Sequence, residues 1–270
     1  MKAKSIMIQG TASDAGKSTL ALALCRHYAA QKLNVFPFKS QNMGSASVYT
    51  IDGFEMSRPQ WLQAEAAIRP ADVRMNPILL KPTDDESSEL IFLGRSKGCY
   101  AGRDYYQFKE KLKKKIKAVY QEVEQENDLV IIEGAGNPAE INLNRDDFVN
   151  MGMADMADSP VILVADIDLG GVFASIYGTV ELQEKHHRQR IKGIIINKFR
   201  GDISLLRDGL DMIEDLINIP VLGVVPMIDL NLLGDREERD RQYDRLAAEV
   251  MSHIDQAELD KIIFGESGGV

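Results

Sequence analysis

Short runs of apolar residues recur along this chain, each closed by a polar or glycine-containing turn. Between them lie stretches in which apolar residues return every three or four positions. Uninterrupted apolar runs predict strands buried on both faces, and the longer period predicts helices packed against them. The strands expected are Ser5–Ile8, Val35–Phe38, Leu129–Glu133, Val161–Ala165, Gly193–Asn197 and Val221–Val225. Helices are expected near Ser18–Gln31, Pro59–Ala67, Tyr105–Gln125, Ser175–Leu182 and Ser204–Ile217. A last helix, Tyr243–Ile263, would place Leu246, Ala247, Val250, Ile254 and Leu259 on one face. This alternation predicts an α/β fold, a mostly parallel sheet covered by helices on both faces. No internal repeat or low-complexity segment interrupts it.

In such a sheet the functional groups gather beyond the carboxyl ends of the strands. The first strand runs into Gly10-Thr11-Ala12-Ser13-Asp14-Ala15-Gly16-Lys17-Ser18-Thr19, which opens a helix. Backbone N–H groups of such a P-loop cradle phosphates, the helix N-terminus adds positive potential, and the lysine reaches the terminal phosphates. Ser18 would give its hydroxyl to Mg2+. Five residues separate Gly10 from Gly16, one more than in the usual P-loop. The apolar run Leu129–Ile132 delivers Glu133 to a strand end, followed by Gly134-Ala135-Gly136. A buried carboxylate is costly unless paired or metal-bound, so Glu133 reads as the acid of a Walker B strand.

Other strand ends leave alternatives open. Lys39 could hold a substrate carboxylate or a transferring phosphoryl group, or be an ordinary surface lysine. Asp52, before Gly53, reads by itself as a turn residue. Asp166 and Asp168 face the same way on an extended segment, to bind polar groups or to cap the next helix. Asn197 offers an amide able to match an adenine edge. The pair His186-His187 reads as surface loop, because adjacent helical residues do not easily face one metal. The lysine-rich stretch Lys109–Lys117 reads as the solvated face of an amphipathic helix.

Composition narrows the partners. The 270 residues are 44% hydrophobic, enough for one large core or two smaller ones. A net charge of −9 argues against a nucleic-acid partner. No apolar run approaches the roughly eighteen residues of a membrane span, and the start of the chain does not read as a signal peptide. Two cysteines, Cys25 and Cys99, without metal-type spacing fit a reducing cytoplasm.

Six stretches in collinear order carry a family resemblance: Gly-Thr-x-Ser-Asp-Ala-Gly-Lys-Ser from Gly10, Pro-Phe-Lys-x-Gln-Asn-Met from Pro37, Met-Asn-Pro-Ile-Leu-Leu-Lys-Pro from Met75, Glu-Gly-Ala-Gly-x-Pro-Ala-Glu-Ile-Asn-Leu from Glu133, Asp-Ile-Asp-x-Gly-Gly-Val-Phe-Ala from Asp166 and Ile-Asn-Lys-Phe-Arg-Gly-Asp from Ile196. Over Ile6 to Asp229 the chain resembles the synthetase domain of cobyric acid synthase, which has the dethiobiotin synthetase-like P-loop NTPase fold. The resemblance implies ATP- and Mg2+-dependent amidation of peripheral carboxylates of adenosylcobyrinic acid a,c-diamide. An acyl phosphate would form on each carboxylate, and ammonia from glutamine would displace the phosphate.

By that resemblance Gly10, Thr11, Ser13, Asp14, Ala15, Gly16, Lys17, Ser18 and Thr19 hold the triphosphate and Asn197 reads adenine. Ser18, Asp52 and Glu133 surround Mg2+. Lys17 and Lys39 are the catalytic cations. Gln41, Asn42, Glu140, Asn142, Asp166 and Asp168 are candidate corrinoid or phosphate contacts. Pro82–Gly102, rich in polar residues and glycine, is the candidate lid that shields the acyl phosphate. Residues 1–232 would form the synthetase domain and 233–270 a helical connector or tail. The family's glutaminase motif, a Gly-x-Cys-x-Gly turn, has no counterpart here, so ammonia would come from a separate or missing glutaminase. A homodimer stays open.

Departures from the family pattern cluster on the acceptor side. Ser40 replaces a proline, Phe54 and Ser57 replace two glycines, and Leu169 stands where an arginine is usual. Three alternatives stand beside it: a dethiobiotin synthetase-like ligase for another carboxylate, a nucleotide switch like the partition and division-site ATPases, and a degenerate binding protein that retains the corrinoid without turnover. Ala12 stands where those switches carry an extra lysine.

Overall fold

The computed structural model describes residues 2–83, 87–140 and 147–266. The chain opens with β1 (Lys4–Gly10), α1 (Lys17–Ala30) and β2 (Val35–Phe38), then the short strands β3 (Gln41–Met43), β4 (Ser47–Tyr49) and β5 (Glu55–Ser57). Next come α2 (Arg58–Ala66), β6 (Ile78–Pro82), β7 (Ser87–Phe92), β8 (Arg95–Ala101) and α3 (Gly102–Glu126). The second half contains β9 (Leu129–Glu133), α4 (Met151–Ala157), β10 (Val161–Asp166), α5 (Val172–Glu181) and α6 (Lys185–Arg188). It closes with β11 (Ile191–Phe199), α7 (Arg207–Ile217), β12 (Val221–Pro226), α8 (Arg236–Ser252) and α9 (Gln256–Phe264).

Six strands form one parallel sheet in the order β12-β11-β10-β1-β9-β2. Alternate residues of each strand serve opposite faces, which is why the runs read as continuously apolar. Ile6, Ile8, Ile131, Ile162, Val164 and Ile195 join α1, α8 and α9 in one core. Met7, Val130, Ile132, Leu163, Ile194 and Ile196 join α3, α4, α5 and α7 in the other. On α3, Leu112, Ile116, Val119 and Tyr120 are buried while Lys111, Lys114 and Lys115 are exposed, as its period predicts. Among the described residues no helix is long and apolar enough to cross a membrane.

Three features depart from the sequence expectation. The candidate lid Pro82–Gly102, outside the undescribed 84–86, supplies the hairpin β7–β8 of a second sheet, β3-β6-β7-β8. Its β7–β8 hairpin turns on Leu93 and Gly94, both at positive φ, as a two-residue turn of the primed type requires. The expected helix Ser204–Ile217 starts as a 3-10 turn, Ile203–Leu206, before α7. The expected helix Tyr243–Ile263 is two helices, α8 and α9.

Asp235 and Glu238 form a capping box at the start of α8. The chain then breaks at His253–Asp255, where Asp255 caps α9 by accepting from the Glu258 N–H. The break lets Asp255 N–H donate to Leu222 O at 2.7 Å and lets Ile254 bridge Gly223 on the edge strand β12. A Cβ on Gly223 would lie 2.1 Å from the His253 carbonyl oxygen, so the approach requires glycine.

Candidate active site

Parallel register brings the candidate residues together. Phe38 pairs with Ile132 and Ile8 with Glu133, so Lys39, Glu133 and the loop after β1 leave adjacent strands at the same end. Lys39 Nζ donates to Glu133 Oε1 at 2.7 Å, and both side chains are buried. Ser18 Oγ, in the first turn of α1, donates to the same oxygen at 2.6 Å. The other carboxylate oxygen, Oε2, accepts from Gln63 Nε2 at 2.6 Å and from Gln60 Nε2 at 3.3 Å.

Burial alone would raise the Glu133 pKa. The Lys39 charge and the hydrogen bonds from Lys39, Ser18 and Gln63 outweigh it and hold the carboxyl below the ordinary range. It is therefore an anion at neutral pH. Lys17 shows the opposite balance. Its burial pushes its pKa down to about 8 and the Lys39 charge pushes the same way, against the pull of Glu133. Lys17 Nζ donates to Ala12 O at 2.7 Å and to Gly136 O at 2.9 Å, tying the loop to the turn after β9.

The P-loop is braced from β11. Asn197 Nδ2 donates to Ala15 O at 2.9 Å. Gly16, at φ 107°, lies so close to this amide that a Cβ would fall 1.9 Å from Nδ2. Within the loop Thr11, Ala15 and Lys17 are buried, while Ser13, Asp14 and Ser18 are exposed and Thr19 is half-buried. Asn137 adds a further brace, donating to Thr11 O at 2.8 Å.

The remaining candidates fall around this centre. Asp166, buried at the end of β10 and in register with Asn197, pairs with Lys198 at 2.6 Å and accepts from the Asp168 N–H. Asp168 faces Arg200 at 3.4 Å. Gln41 accepts from the Tyr105 hydroxyl, and Asn42 follows it on β3. Glu140 is exposed beside Gly136, whose Cβ position lies 3.2 Å from Glu140 Oε1. Asp52 is exposed in the β4–β5 turn, outside the hydrogen-bonded group around Glu133. Asn142 lies outside the described residues.

Sequence reasoning missed Gln60 and Gln63. They sit three apart on α2, so they share a helical face, and the Ser57 hydroxyl donates to Gln60 Oε1. Their signal was faint, because polar residues on a helix ordinarily read as its wet face. Gln63 Oε1, Ser40 Oγ and Gln9 Oε1 are buried without a hydrogen-bond partner among the described residues. Such orphaned acceptors and hydroxyls cost about 1–3 kcal/mol each.

Residues 6–238 match the family described as CbiA, the CobQ/CobB/MinD/ParA nucleotide binding domain. The chain belongs to this nucleotide-binding family. Within that family the parallel sheet, with its phosphate-binding loop leaving the central β1, is the P-loop NTPase fold. Two similar curated proteins are cobyric acid synthases. The one from Streptococcus sanguinis is 59% identical over 245 residues, covering 89% of this chain and 49% of that protein. The one from Listeria monocytogenes is 59% identical over 229 residues, covering 85% and 45%. The chain thus spans about half the length of the curated relatives it matches. Among solved structures, the MinD cell division protein of Aquifex aeolicus aligns at 12% identity with a TM-score of 0.48, covering 99% of this chain and 98% of that one.

Proposed function

We propose that this member of the nucleotide-binding family acts as a cobyric acid synthase-type amide ligase, dependent on ATP and Mg2+, that amidates carboxylates of a corrinoid. The observation that carries the reading is the group of Lys17, Ser18, Lys39 and Glu133 at one end of the sheet. Transfer of a phosphoryl group to a carboxylate brings two anions together, so it needs positioning and neutralised charge more than covalent help. Lys17 and the loop N–H groups would hold the terminal phosphates. Lys39 would neutralise charge where the phosphoryl group meets the acceptor carboxylate.

The donor set fits Mg2+, because a serine hydroxyl and an ionised, buried carboxylate are hard oxygen ligands. When bound, the ion supplies charge neutralisation across the phosphates. Gln60 and Gln63 would orient Glu133 toward it. Asp52 would join only if the β4–β5 turn moves toward β9. Asn197 gives its N–H to the P-loop and would keep Oδ1 for the adenine amino group. Gln41, Asn42, Glu140, Asn142, Asp166 and Asp168 would line the acceptor side. In this reading residues 1–232 carry the synthetase chemistry and 233–270 the connector. The protein works in the cytoplasm, with ammonia supplied from glutamine by a glutaminase domain or subunit.

The test is to incubate the purified chain with Mg-ATP, ammonium chloride and adenosylcobyrinic acid a,c-diamide, following product mass and ADP together. The expected result is stepwise conversion of carboxyl to amide, abolished in Lys17→Ala and in Glu133→Gln. ADP release without amidated product would overturn the corrinoid acceptor and leave the nucleotide site standing.

A further inference from the structure

The amino end of the parallel sheet carries a cluster that the P-loop chemistry does not use. Asp155 lies on α4, shortly before β10, and His186 and His187 lie on α6, shortly before β11. Both strands run parallel to β1, so this end of the sheet is opposite the one from which the P-loop leaves. Neighbouring residues on a helix point about 100° apart, which argues against two adjacent histidines sharing a ligand. The short α6 nonetheless places the two imidazole centroids 3.9 Å apart. Both Nε2 atoms face one oxygen, Asp155 Oδ2, from 2.8 Å for His187 and 3.9 Å for His186. One ligand atom from each of the three residues lies within 4.8 Å of the other two.

The surroundings orient these groups. Arg190 Nε holds the other carboxylate oxygen, Oδ1, at 2.7 Å, which leaves Oδ2 to the imidazoles. Glu184 Oε2 stands 3.5 Å from His186 Nδ1, where an acid steers a ligating imidazole so that Nε2 points at the metal. Two imidazole nitrogens and one carboxylate suit a borderline transition metal better than Mg2+ or Ca2+, which prefer all-oxygen shells. The Arg190 charge opposes a cation and keeps the affinity modest.

We propose that Asp155, His186 and His187 form a divalent transition-metal site of the Zn2+ or Ni2+ class, remote from the nucleotide. Binding requires the proton between His187 Nε2 and Asp155 Oδ2 to leave, to Nδ1 or to solvent, so that the nitrogen lone pair reaches the ion. Three protein ligands leave the fourth position of a tetrahedral ion open. The bound ion would staple the connection before β10 to the connection before β11.

The experiment uses the full chain without a histidine tag, stripped with EDTA and returned to buffer with excess MgCl2 to occupy hard oxygen sites. ZnCl2 is titrated in by calorimetry, and thermal melts are recorded with and without it. One equivalent should bind and raise the melting temperature. His186→Ala and His187→Ala should each weaken binding at least about tenfold. His186 is exposed, so its substitution leaves the fold intact, which circular dichroism checks. Absence of Zn2+ binding, or binding undiminished in both variants, would overturn the site.

Discussion

At the scale of single residues, the site is governed by two lysines that share one carboxylate's neighbourhood unequally. Lys39 bonds directly to Glu133, whereas Lys17 feels it at a distance and is spent on two carbonyl oxygens. Burial therefore wins at Lys17 and lowers its pKa from the ordinary 10.5 to about 8. Between those two values the unfolded chain holds more protons than the folded one, so this group adds stability as pH rises from about 8. A phosphate beside Lys17 raises its pKa again, so nucleotide binding above pH 8 must draw in a proton. Affinity should fall as pH rises through about 8, and calorimetry in two buffers of different ionisation heat should register the uptake. Affinity and proton count that stay flat across this range would show that Lys17 does not meet the phosphates. The glutamines around Glu133 were illegible for a related reason. Only the fold reveals that the wet-looking residues Gln60 and Gln63 point at a buried acid.

At the scale of elements, legibility followed locality. The strand, loop and helix from Lys4 to Ala30 are contiguous, and so are the apolar runs of β9, β10, β11 and β12, so each announces itself in a short window. The strands β3, β4 and β5 are three residues each, Gln-Asn-Met, Ser-Val-Tyr and Glu-Met-Ser. None carries an apolar run, and each exists because a partner strand, up to 37 residues away, supplies its ladder. The break between α8 and α9 was masked differently. Ile254 and Leu259 continue the helical period, while the cap at Asp255, with Glu258 three residues on, signals a new start. Tertiary pairing with β12 decided between them. Gly223→Val should push His253 off the edge strand and break the Leu222–Asp255 hydrogen bond. The expected cost is about 1–3 kcal/mol in a urea melt. An unchanged midpoint would mean that the bridge contributes nothing to stability.

At the scale of the whole molecule, the two cores meet through the sheet, and helices from both ends of the chain share one of them. Tyr243, Leu246 and Val250 of α8 lie with Leu20, Leu24 and Tyr28 of α1, so the first helix and the last long one are packed as a unit. Salt bridges from Arg26 to Asp240 and Asp244 run along the same seam. The Lys17 ammonium joins parts still farther apart, since Gly136 lies 119 positions along the chain. An ammonium has three N–H groups and two are spent on carbonyls, so a Lys17 that holds oxygens of both terminal phosphates must release a carbonyl. Filling the loop should thus stiffen one stretch of backbone and loosen another. Hydrogen–deuterium exchange on adding Mg-ATP should slow across residues 12–18 and quicken across residues 134–140, while Asn150 still holds Ala135. Slowing in both stretches would mean that the lysine keeps its grip on Gly136. Quickening in the second would make the turn after β9 a reporter of occupancy, softened when nucleotide arrives and firmed when it leaves.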